Sequence, residues 1–120
     1  MDREFIPYEL ALELKQLGFD EPCLSYYEGE SFSYHLASIK GDDYIIPAPL
    51  FQQVFRWFRE EHKLIAGIFP NNHSLQDNVS YIGYVGKFKK GNVEVYETYE
   101  EAEKECLIKL IEIVKGGNKL

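Results

Sequence analysis

The sequence contains few of the residues on which metal sites and disulfide scaffolds depend. Its 120 residues include two cysteines, Cys23 and Cys106, which lie far apart, and three histidines, with neither a CxxC nor an HExxH spacing. A zinc site needs three or four converging ligands, and small secreted scaffolds need several cysteine pairs. We therefore expect free thiols, no metal site and no cofactor.

Long apolar runs and an excess of positive charge are also missing. No stretch approaches the length of about 18 apolar residues that a membrane-spanning helix needs, and the first ten residues lack the apolar core of a secretory signal. Thirteen Lys and Arg stand against twenty Asp and Glu, and the resulting net charge of −7 opposes binding to phosphate backbones. The sequence predicts a cytoplasmic protein with no membrane and no nucleic acid among its partners.

Apolar and aromatic side chains, in contrast, are abundant. Hydrophobic residues make up 45% of the chain and aromatic residues 15%, which is a globular composition. A chain of 120 residues has the size of one ordinary domain and buries enough surface to fold alone. We expect a single domain that covers residues 1–120.

The spacing of apolar residues predicts three helices. Pro7 is typical of the first turn of a helix, and Gly18 is a left-handed stop for the same helix. The second helix lies in the stretch PAPLFQQVFRWFREEHKL, residues 47–64. Thr98, with a glutamate three positions later, forms a capping box for the third helix, which ends at Gly116.

Two groups of strands separate the helices. Aromatic and β-branched segments between Cys23 and Ile46, divided by turn residues, predict a three-stranded meander, and residues 63–97 predict a second one. The element order is therefore α-βββ-α-βββ-α, with antiparallel sheet and three helices. This order is typical of an α+β fold, and the sequence leaves open whether the two meanders join in one sheet.

The second helix has an unusually wide apolar arc. We expect its centre line, Phe51, Val54 and Phe58, to be buried against a sheet, because these positions recur on one side at 100° per residue. Phe55 and Trp57 are then expected at the two rims of the arc, where part of each ring is exposed.

One pair of residues could support nucleophilic chemistry. Cys23 begins a strand and His35 lies on the next, so the hairpin could bring the two side chains together. A free cysteine beside Pro22 and Leu24 is more typical of a small core residue. We expect no enzyme, although a small enzyme acting through Cys23, His35 and His62 is the third alternative.

Binding residues are sought among the exposed aromatic and basic side chains, because Trp, Tyr and Arg dominate binding hot spots. Lys87 belongs to a basic hairpin tip with Lys89 and Lys90. The candidate residues for binding a ligand or partner are Tyr34, Arg56, Trp57, Arg59, Tyr84 and Lys87.

Three segments carry a resemblance to a known group of proteins. They are IPYELALELKQLGFDEPCLSYY, APLFQQVFRWFREEHKL and YETYEEAEKECLIKLIEIVK, which cover both ends and the centre of the chain. They resemble a group of short, uncharacterised proteins that are abundant in phages and prophages of gut bacteria. The resemblance implies a small accessory protein of a mobile element, expressed inside a bacterial cell, and it implies no site residue.

These observations lead to two expected functions. The first is a non-enzymatic binding module of a phage or prophage, which acts on a host protein or a host signal in host interaction or anti-defence. It is expected to self-associate as a homo-oligomer through exposed aromatic residues. The alternative is a sponge that sequesters a small anionic ligand such as a nucleotide messenger, with Arg56, Arg59, Lys87 and tyrosines as its contacts.

Overall fold

The predicted α+β fold and its element order are confirmed. The computed structural model describes residues 4–29, 31–39, 45–71, 80–87 and 89–116, and the side chains of these residues except 34–39 and 45. The described elements, in chain order, are α1 (Tyr8–Gln16), β1 (Cys23–Glu28), β2 (Ser31–Ile39), β3 (Ile45–Pro47), α2 (Phe51–Glu61), β4 (Ile65–Asn71), β5 (Ser80–Lys87), β6 (Lys90–Tyr96) and α3 (Tyr99–Val114). No helix among these described elements has the length and apolarity needed to cross a membrane.

The chain divides into two compact units, and the division falls inside α2. The first unit covers residues 1–54 and the second covers residues 55–120. Each unit contains its own three-stranded antiparallel sheet. The expectation of one domain over residues 1–120 stays a prediction.

In the first unit the predicted meander is wrong. The strand order is β2-β1-β3, because β3 pairs with β1 and not with β2. Tyr27 in the central strand is paired with Phe32 on one side and with Ile46 on the other. A hairpin has two free edges, and the alternation of side chains within a third strand does not specify which edge it joins.

The core of the first unit lies where α1 meets this sheet. The Tyr27 hydroxyl donates a hydrogen bond of 2.8 Å to the carbonyl of Ile6, so the buried ring has a partner for its polar tip. Gly18 ends α1 with a φ of 100°, as predicted from the sequence. Leu10, Ala11 and Leu14 form the buried stripe of the helix.

In the second unit the predicted meander is confirmed, with strand order β4-β5-β6. The helix α3 packs on this sheet, and Thr98 caps its N-terminus by accepting a hydrogen bond of 3.0 Å from the backbone N–H of Glu101. This bond satisfies one of the donors that a first turn leaves unpaired. The buried positions of α3 are Ala102, Glu103, Cys106, Leu107, Leu110 and Ile111.

The helix α2 confirms its predicted centre line and corrects its predicted rims. Phe51, Val54 and Phe58 are buried, with 5%, 0% and 0% of their surfaces exposed. Phe55 and Trp57 are also buried, at 6% each, so their expected rim positions are wrong. The Trp57 ring has aromatic neighbours, since it packs edge-on against Phe58 at 5.0 Å between ring centroids.

Candidate functional site

The strand register divides the side chains of the second sheet between two faces. Gly83 in the central strand pairs with Ile68 in β4 and Glu94 in β6, while its neighbour Ile82 pairs with Phe69 and Val95. Residues paired across strands lie on the same side of a sheet, and successive residues lie on opposite sides. Residues paired across the three strands form a cross-strand row, and every second cross-strand row therefore belongs to the same face of the sheet.

One face, which we call the inner face, packs against α3. A side chain at Gly83 would lie 2.8 Å from the Cys106 Sγ atom and 2.9 Å from the Tyr96 ring, so helix and sheet approach closely there. Tyr81 meets Tyr99 at the start of α3, with the ring centroids 5.8 Å apart. These contacts place α3 over the rows that contain Tyr81, Gly83 and Tyr96.

The opposite face, which we call the outer face, is apolar, and three of its large side chains are more than half exposed. Phe69, Val93 and Val95 are 57%, 59% and 60% exposed, and they account for three of the five exposed large hydrophobic residues in the described part of the chain. None of the described strand positions on this face carries a charge. They are Ile65, Gly67, Phe69, Asn71, Ser80, Ile82, Tyr84, Gly86, Gly91, Val93 and Val95.

The distribution of charged and apolar side chains between the two faces of β6 is the reverse of that in an ordinary half-buried strand. A strand that covers a helix usually turns its apolar residues inwards and its charged residues to water. In β6, Glu94 and Tyr96 belong to the inner face, whereas Val93 and Val95 belong to the outer face and are exposed. Among the described residues, this arrangement leaves the apolar side chains of Val93 and Val95 more than half exposed.

Two aromatic rings of the outer face lie over glycines. A Cβ atom at Gly67 would lie 2.8 Å from the ring of Phe69, and one at Gly91 would lie 2.6 Å from the ring of Tyr84. The Tyr84 hydroxyl donates a hydrogen bond to the carbonyl of Lys87. The rings therefore lie along the sheet, and the hydroxyl fixes the Tyr84 ring, so the face is flat and partly preorganised.

The reversed strand is held on the inner side by a polar network. Lys109 Nζ lies 2.7 Å from Glu94 Oε1 and donates a hydrogen bond of 2.9 Å to the Tyr96 hydroxyl, which in turn lies 3.2 Å from Glu94 Oε2. The hydrogen bond from Lys109, together with its positive charge, lowers the pKa of Glu94. Glu94 is thus fixed on the inner face by α3, and its neighbours Val93 and Val95 point outwards.

Replacement of Glu94 by glutamine is expected to reduce stability in a pH-dependent way. The pKa of Glu94 is lowered in the folded chain, so its charge stabilises the fold above the ordinary pKa of 4.5, and this contribution is lost as the pH falls through the folded-state value. The difference in free energy of unfolding between wild type and Glu94→Gln should be largest near neutral pH and should vanish in acid, as measured by denaturant titration. In a Lys109→Met background the same substitution should show no such pH dependence, and an unchanged dependence would refute the role of Lys109.

The two cysteines lie in surroundings that keep their thiols protonated. Burial, assisted by the nearby charge of Glu21, raises the pKa of Cys23 to about 12, and burial raises the pKa of Cys106 to about 11. The register sets Cys23 opposite Ile39, and the side chain of His35 lies outside the described residues. Cys23 has the environment of a core residue.

The residues predicted to bind a partner occupy different parts of the chain. Arg56 and Arg59 are exposed on α2, where the Arg56 Nε atom lies 3.9 Å from a carboxylate oxygen of Glu60. Trp57 is buried. The side chain of Tyr34 lies outside the described residues, so nothing places it beside the others.

Tyr84 and Lys87 are the two predicted residues that lie at the outer face or its border. Tyr84 belongs to the face itself, and Lys87 is exposed at the hairpin between β5 and β6. The binding roles of all six predicted residues stay predictions. The sequence prediction missed Phe69, Val93 and Val95, although the apolar residues at both even and odd positions of SYIGYVGK are a signal that both faces of β5 are covered or bind.

No family model, curated protein or solved structure matches this chain. Within the described ranges, no group of three or more His, Cys, Asp and Glu side chains is placed to hold a metal ion. The outer face is the described surface whose composition departs most from that of a solvated sheet.

Proposed function

We propose that this chain is a non-enzymatic binding module that binds another protein through the outer face of its second sheet. The observation that carries the proposal is the reversed polarity of β6, which exposes Val93 and Val95 and turns Glu94 towards α3. Exposed apolar patches without charge at their centre are typical of protein interfaces. A flat sheet face suits a protein surface better than a small ligand, which needs a concave site.

The free energy gained by burying the exposed side chains of this face supports a modest binding affinity. Full burial of a Val or Phe side chain stabilises by about 1.5–3 kcal/mol, and Phe69, Val93 and Val95 each still expose more than half of their surface. Covering these three side chains would contribute roughly 3–4 kcal/mol before the cost of association. Further contacts at the rim would be needed for tight binding.

The cellular setting is part of the proposal. The resemblance of three chain segments to phage and prophage proteins supports an accessory protein that acts inside a bacterial cell. The raised pKa values of both thiols support a binding role over nucleophilic catalysis, because a protonated thiol is a poor nucleophile.

A photo-cross-linking experiment tests the proposal directly. A photoreactive phenylalanine derivative replaces Val95 on the outer face, and in a matched control it replaces Lys104, which is exposed on α3. We expect a discrete covalent adduct from position 95 and none from position 104. Absence of an adduct at position 95, or the same adducts from both positions, would overturn the proposal.

A further inference from the structure

Two charged residues of opposite sign flank the outer row of β6, which contains Gly91, Val93 and Val95. Val93 lies at the centre of this row, and four positions away on each side lie Lys89, at the hairpin turn, and Glu97, just beyond the strand. Both residues are exposed, and no described residue of the same chain forms an ion pair with either of them. Along the chain, basic Lys89 is therefore followed by apolar Val93 and then by acidic Glu97.

This arrangement is complementary to itself under one particular symmetry. A two-fold axis that lies between two facing sheets, perpendicular to the strands and passing over Val93, places β6 against β6 in the opposite direction. Lys89 of each copy then faces Glu97 of the other, and the uncharged face meets itself. The alternative axis, parallel to the strands, brings Lys89 ends together and is disfavoured by like charge.

We propose that the partner bound by the outer face is a second copy of this chain, packed face to face with β6 antiparallel to β6. The inference deepens the proposed function and rests on it, since it names the protein that covers the face. Two sheets packed in this way lie about 10 Å apart with their strands aligned within about 30°. Phe69, Val93 and Val95 of both copies fill the space between the sheets.

The size of the face determines how strong the dimer is. Three strands of five residues measure about 14 by 17 Å, or roughly 250 Å² per copy in projection. A standard interface buries about 800 Å² per partner, and two copies with a net charge of −7 each repel at long range. Covering the three side chains on both copies contributes roughly 6–8 kcal/mol and the two contacts between Lys89 and Glu97 about 1 kcal/mol more, while association costs at least about 4 kcal/mol. We therefore expect a weak, reversible dimer with a dissociation constant of roughly 0.1–1 mM.

Charge-reversal substitutions at positions 89 and 97 test whether the partner is a second copy and whether the two copies of β6 are antiparallel. Sedimentation equilibrium of the full chain, at about 1 µM to 1 mM, measures the dissociation constant of the dimer. The measurement is made on the wild type, Lys89→Glu, Glu97→Lys and the double variant. Each single substitution turns two attractive contacts into repulsive ones, and we expect about tenfold weaker dimerisation. The double variant should regain the wild-type constant, and an equimolar mixture of the single variants should form a mixed dimer.

Val95→Lys supplies a second measurement, because position 95 is exposed and the substitution leaves the core intact. It should abolish the dimer while the unfolding transition stays unchanged. A monomer at 1 mM, or single charge variants that dimerise like wild type, would overturn the second-copy proposal. If position 95 then cross-links to a different protein, the proposed function stands and only the choice of partner fails. If it cross-links to nothing, both fail.

Discussion

Replacement of Gly86 by alanine is expected to cause a large loss of stability in the second unit. An added Cβ atom would lie 2.3 Å from Gly91 Cα and 2.5 Å from the carbonyl oxygen of Lys90, and the φ of Gly86 is 156°. These neighbours are backbone atoms of the paired strand, so no side chain can move to relieve the contact. Overpacking and backbone strain together should lower the free energy of unfolding by about 3 kcal/mol or more.

The measurement is denaturant titration monitored by the fluorescence of Trp57, the single tryptophan, which is buried in the second unit. Gly116→Ala is a matched control, because Gly116 has a φ of 84° but nothing within 4 Å of an added Cβ. That variant should lose only about 1 kcal/mol from its backbone conformation. Equal losses for Gly86→Ala and Gly116→Ala would contradict the close pairing of Gly86 with Gly91.

Gly83→Ala is expected to have the second largest effect, for a different reason. Its Cβ would meet the Cys106 Sγ atom at 2.8 Å and the Tyr96 ring at 2.9 Å, beneath α3. Both neighbours are buried side chains, and the Tyr96 hydroxyl is held by Lys109, so the helix has to shift away from the sheet. We expect a loss of about 2 kcal/mol in the free energy of unfolding.

Two further variants isolate the cause of this loss. Gly67→Ala places a Cβ 2.8 Å from the Phe69 ring, but that ring is more than half exposed and free to rotate, so this variant should be nearly neutral. Cys106→Ala should cost less in the Gly83→Ala background than in wild type, because it removes one of the two close contacts. Additive effects of Gly83→Ala and Cys106→Ala would contradict the predicted contact.

Much of the local structure follows from the sequence, because local signals determine it. Gly18 and Thr98 mark helix ends through conformations and hydrogen bonds that involve only near neighbours in the chain. The order of strands in the first sheet does not follow, since pairing of β3 with β1 depends on long-range contacts. The burial of Trp57 does not follow either, because amphipathicity shows which side of a helix is apolar and does not show how far burial extends around the helix.

The candidate site was harder to predict than the fold. The alternation in VEVYE predicts a strand, and an ordinary interpretation would turn both valines towards the core. Tyr96 is instead the residue of β6 that is buried on the inner face, and the alternation of side chains then places Glu94 beside Lys109 and turns both valines outwards. The residue type of Tyr84 indicates a binding role, and only the strand register shows that it lies beside Val93.

The reactivity of a thiol placed at position 95 tests most directly whether the outer face is exposed in the single chain and covered when the chain associates. The native thiols of Cys23 and Cys106 are buried and have raised pKa values, so Val95→Cys would supply the one fast-reacting site among the described residues. We expect rapid labelling by a maleimide in dilute protein, and protection of position 95 as the protein concentration rises from about 10 µM to about 1 mM. Labelling as slow as that of the native thiols at every dilution would contradict this expectation, because the outer face would then be covered within its own chain.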